Sequence, residues 1–77
     1  MNTEPKVTRA KKKPTLAEAQ AAVGGYVQLV ELYDGSQLIV NEEGLLHNLP
    51  LNFEASEMAG QVIVGEALLL TGKHRWS

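Results

Sequence analysis

Apolar positions in this chain recur at helical spacing near its start and then cluster in strand-like runs broken by glycine, asparagine and proline. Leu16, Ala19, Gln20 and Val23 fall on one side of a helix, with Ala17, Ala21 and Ala22 supplying propensity. Thr15-Leu-Ala-Glu18 is a capping box, and Gly24 stands where a left-handed residue ends the helix. Tyr26 to Tyr33 is rich in β-branched and aromatic residues and apolar on both faces, which predicts a central strand. Asp34-Gly35-Ser36 is a hairpin turn leading into the return strand Gln37 to Asn41.

The second half of the chain is more broken. Asn41-Glu-Glu-Gly44 makes another turn, and Leu45 to Leu49 predicts a short third strand that Pro50 places at an edge or an end. Asn52 caps a helical segment, Phe53 to Ala59, which Gly60 closes. Gln61 to Leu70 predicts the last long strand, with Gly65 marking a bulge or a close backbone approach. The fold class is therefore α+β: a small antiparallel sheet of three to four strands, one short N-terminal helix, and one short helix before the last strand.

Charge divides the 77 residues more sharply than the net value of -2 suggests. Lys6, Arg9, Lys11, Lys12 and Lys13 face only Glu4 in residues 1–13, which read as a disordered basic arm. Residues 14–72 form a single domain with no Lys or Arg, holding Glu18, Glu31, Asp34, Glu42, Glu43, Glu54, Glu57 and Glu66. Residues 73–77 read as a flexible basic tail.

The segments Val23-Gly-Gly-Tyr26, Asn41-Glu-Glu-Gly44, Leu49-Pro-Leu-Asn52 with Ala55, and Ile63-Val-Gly65 fall in a recognisable order. Together, over about residues 15–70, they resemble a small family of functionally uncharacterised proteins found in phages, mobile elements and bacteria. The resemblance implies a phage or mobile-element setting and a compact α+β fold. It implies no reaction.

Candidate chemistry is sparse. With no cysteine there is no thiolate nucleophile and no Cys-based zinc site. His47 and His74 have no second histidine at ligand spacing, so neither a metal nor a cofactor is expected. Ser36 fits turn chemistry and Ser56 an exposed helix face, and neither has a histidine nearby in sequence, so no enzyme is expected. Gly24-Gly25 ends a helix and begins a strand, the reverse of a phosphate loop.

Binding remains. An acid-rich surface steers docking onto a basic protein surface. The leading expectation is thus a non-enzymatic accessory protein that binds and modulates a host protein, such as a defence or transcription complex. Its candidate contacts are Glu31, Asp34, Glu42, Glu43, Glu54 and Glu57. Nucleic-acid association through Lys6, Arg9, Lys11, Lys12 and Lys13 is the first alternative, giving salt-sensitive phosphate contacts. An oligomer that sequesters a small ligand or nucleotide is the second. The apolar runs exceed what two short helices cover, which predicts a homodimer burying a sheet face or pairing strand edges. No apolar stretch is long enough to span a bilayer, so the expected setting is the cytoplasm of the host cell, with no membrane partner.

Overall fold

The computed structural model describes residues 4–76. Met1–Thr3 of the expected arm and Ser77 of the expected tail lie outside the described residues. The elements run β1 (Val7–Arg9), α1 (Leu16–Val23), β2 (Val27–Glu31), β3 (Gln37–Asn41), α2 (Phe53–Ala59), β4 (Ala67–Leu70), and a 3-10 turn (Gly72–His74). The strands form one mixed sheet in the order β1-β4-β3-β2. β3 lies antiparallel between β2 and β4, while β1 runs parallel to β4.

Alternation along the strands builds two small cores. Val30, Leu38, Val40 and Ala67 face α2 and meet Ala55 and Ile63. Ile39, Leu68 and Leu70 face α1 and meet Ala19 and Val23. Leu38, Ile39 and Leu70 are fully buried, each worth about 1.5–3 kcal/mol on removal from water. The sheet is therefore covered by one short helix on each face.

Both helices carry the caps their sequences specify. The Thr15 hydroxyl accepts from the Glu18 amide, and the Glu18 carboxylate accepts from the Thr15 amide. Gly24 closes α1 in the left-handed region at φ 82°. The Asn52 side chain accepts from the Ala55 amide to start α2.

Four expectations are corrected. β2 is an edge strand, because β3 takes the central position and all five of its residues are buried. Leu45 to Leu49 forms no strand; overlapping turn bonds coil it instead, with Asn48 left-handed at φ 55°. The last strand starts only at Ala67, because Gly65 at φ 81° breaks the extended run. A lone bridge from Val64 to Leu51 precedes it. The sheet is mixed rather than antiparallel, because the basic arm contributes β1.

The described parts of both ends are ordered by the sheet. Lys6 C=O accepts from the Ala67 amide, and the Ala10 amide donates to Leu69 C=O, so the stretch from Lys6 to Ala10 of the expected arm lies along the sheet edge. At the other end the Trp76 backbone exchanges two bonds of 2.7 Å with the Gln37 side chain, and its indole donates to Pro14 C=O. The basic tail thus folds back onto the domain.

Asn52 holds three segments. Its Nδ2 donates to Gly65 C=O at 2.8 Å and Lys6 C=O at 3.2 Å, while Oδ1 takes the Ala55 amide. Asn52→Ala leaves these groups short of partners and is expected to cost about 2–4 kcal/mol in urea unfolding. Asn52→Asp retains the cap but turns an acceptor toward two carbonyls, and should destabilise as well.

The pKa of Glu18 lies below its ordinary 4.5, chiefly through the Thr15 amide and then through the nearby Lys12 charge. Because the folded value is depressed, its contribution to α1 is present above 4.5 and is lost as pH falls through the lower folded value. Protection factors of the α1 amides, corrected for the intrinsic slowing of exchange in acid, should therefore fall on acidification across that window, and less so in Glu18→Gln.

Candidate partner-binding surface

The segment after β3 is shaped by Asn41. Its Nδ2 donates to Val23 C=O at the end of α1, at 3.0 Å, and its Oδ1 accepts from the Glu43 amide at 2.8 Å. Gly25 lets this side chain pass, since a Cβ there would lie 3.2 Å from Asn41 Nδ2. Gly44 then packs directly on Val64, where a Cβ would fall 2.6 Å from its Cγ2. The backbone coils through bonds from the His47 amide to Glu43 C=O and from the Leu49 amide to Gly44 C=O.

This coil pushes its apolar side chains outward. Leu45 is 72% exposed and Leu46 74%, and Val62 from the neighbouring segment is 66% exposed. Two shallow hollows flank the coil. One, of about 180 Å³, lies toward α2 and is lined in part by Glu42, Leu45, Gln61 and Val62. The other, of about 320 Å³, lies beside the end of α1 and includes Tyr26, Glu43 and His47. His47 Nε2 sits 3.3 Å from Glu43 Oε1 on the exposed coil. The result is an apolar knob bordered by carboxylates.

The six acids expected to contact a partner do not converge. Glu42 and Glu43 border the knob, whereas Glu31 and Asp34 lie at the opposite end of the β2–β3 hairpin. That separation, five residues from Glu42 to the level of Glu31, is about 17 Å at strand rise. Glu31 accepts from Gln37 Nε2, and Asp34 accepts from the Ser36 hydroxyl and amide. Those Ser36 bonds, the hydroxyl's first, hold the Asp34 carboxyl below its ordinary range. Glu54 and Glu57 are exposed on α2. The knob of Leu45, Leu46 and Val62 was not legible in the sequence, because the same leucines suit a buried strand.

The basic residues come closer together than their sequence positions suggest. Arg9, Ala10 and Lys11 share a hollow with Thr71 and His74, and Arg9 Nη2 lies 3.3 Å from Thr71 Oγ1. Arg75 reaches Gly35 C=O at 3.0 Å. Lys12 is paired with Glu18 at 3.5 Å, while Lys6, Lys11 and Lys13 are exposed.

Neither serine sits in a nucleophilic arrangement. Ser36 is spent on its turn, and Ser56, which sequence placed on an exposed face, is half-buried and exchanges bonds with the backbone of Ile63. Among the described residues no three His, Asp or Glu side chains gather to hold a metal ion. No helix among them is long and apolar enough to cross a membrane.

The four segments singled out in the sequence meet pairwise in this fold. Gly25 and Val23 meet Asn41, and Asn52 meets Gly65. No curated protein and no solved structure matches the chain. A family does match, over residues 1–75, and the chain belongs to it: the domain of unknown function DUF3846.

Proposed function

We propose that this protein is a non-enzymatic accessory factor of a phage or mobile element that works in the host cytoplasm by binding a host protein and modulating it. The observation that carries the reading is the knob of Leu45, Leu46 and Val62 beside Glu42 and Glu43. Exposed apolar side chains bordered by charge are the usual make-up of a protein contact, the former supplying burial and the latter steering and register. The coil is anchored by Asn41 and Gly44, so it meets a partner with little backbone ordering left to lose. A basic or mixed surface with an apolar recess is the matching chemistry, to be sought on a host defence or transcription complex.

A second reading has its own support. Arg9, Lys11 and His74 line one hollow, which brings the two basic ends of the chain to one corner and suits phosphate contacts. Removing the arm also removes β1, so charge reversal is the cleaner test of this corner. If nucleic acid is the partner, Lys11→Glu with Lys13→Glu abolishes a mobility shift that already weakens steeply with salt.

For the leading reading, affinity capture from host lysate at low and physiological salt should enrich one protein. That protein should be lost with Leu45→Ser/Leu46→Ser and weakened with Glu42→Lys/Glu43→Lys. All four positions lie at the surface, so these variants should keep wild-type stability to within about 0.5 kcal/mol. A lysate from which nothing is enriched at either salt would count against it.

A further inference from the structure

The two edges of the sheet are protected very differently. β1 is three residues long, carries Arg9, and is bracketed by Pro5 and by Lys11, Lys12 and Lys13. These are the devices by which natural sheets discourage strand addition. β2 has five residues, Val27-Gln-Leu-Val-Glu31, without lysine, proline or bulge. Its bonds to β3 are made by alternate residues. The Glu42 amide donates to Tyr26 C=O and the Leu32 amide to Ser36 C=O, which sets even-numbered positions facing β3. The amides and carbonyls of Val27, Leu29 and Glu31 therefore point off the sheet, with no partner among the described residues.

We infer that this edge pairs with the same edge of a second copy, antiparallel about a two-fold axis through Leu29. The odd-numbered set is symmetric about that residue. Leu29 bonds its own counterpart, and Val27 bonds the partner's Glu31, so every outward amide and carbonyl finds a mate. The two sheets join into one of eight strands.

The side chains fit the same register. Leu29 meets Leu29, and Tyr26, 64% exposed in one copy, lies opposite Leu32 of the other. Tyr33, fully exposed at the turn, faces Gly25, which has no side chain in the way. Charge is accommodated too. Glu31 lies opposite Val27, and the two Glu31 positions are about four strand residues, roughly 13 Å, apart. That exceeds the screening length of about 8 Å at physiological salt. Each copy contributes two tyrosines of up to about 200 Å² apiece, which with the paired leucines brings the contact toward the ~1,000 Å² a specific interface needs. The inference is independent of which partner the knob engages.

The absence of cysteine makes the test direct. In an antiparallel bonded pair the Cα atoms stand about 5.5 Å apart, within disulfide reach. Full-length Leu29→Cys under mild oxidation should become mostly covalent dimer, while Arg9→Cys on the other edge should give only traces. Sedimentation of the cysteine-free chain should give twice the chain mass. Leu29→Pro, whose lost amide faces away from β3, should give the single mass with unchanged circular dichroism. A wild-type monomer up to about 100 μM overturns the inference. So does equal crosslinking at the two edges.

Discussion

One buried amide holds the far corners of this fold together. Asn52 is fully buried, and its side chain takes an amide from α2 and gives hydrogens to Gly65 and Lys6. Its own amide donates to Ile63 C=O. With only eleven buried hydrophobic residues among those described, the domain has little apolar burial to spare. Direction must then come from polar contacts, since a hydrogen-bonded amide in a dry interior fits one arrangement and is costly in others. Asn52 fixes where the N-terminal strand enters, where α2 begins, and where the chain bends before β4.

Asn41 does the equivalent work on the other side of the molecule, fastening the end of α1 to the coil after β3. The glycine and asparagine segments singled out in the sequence are therefore chiefly the joints of the fold. Glycines 25, 44 and 65 are small because another chain segment passes within contact distance. Residues in such places define a shape without defining a chemistry. The exposed leucines and tyrosines are better placed to meet another molecule.

What could be read in the sequence was local. The capping box, the two helix-ending glycines and the hairpin at Asp34–Ser36 depend on neighbours within a few residues, and the structure has each in place. What could not be read depends on partners far along the chain. Val7-Thr-Arg9 is too short and too basic to announce a strand, and becomes one because β4 offers a free edge and Asn52 catches Lys6. Trp76 has no periodic context, and is held because Gln37 and Pro14 present matching groups. The outward leucines at 45 and 46 carry the same letters as a buried strand. Only the turn bonds of the coil decide which way they point.

The parallel β1 also bears on how this chain acquires its shape while being made. Its mates at Ala67 to Leu69 are translated some sixty residues after it. Pro14 likewise waits for Trp76, and Arg9 for Thr71, each 62 positions later. Until those later residues emerge β1 stays unpaired, while the α1–hairpin portion already has short-range contacts of its own. Completion of the sheet therefore waits for β4, the one strand that joins β1 to the hairpin.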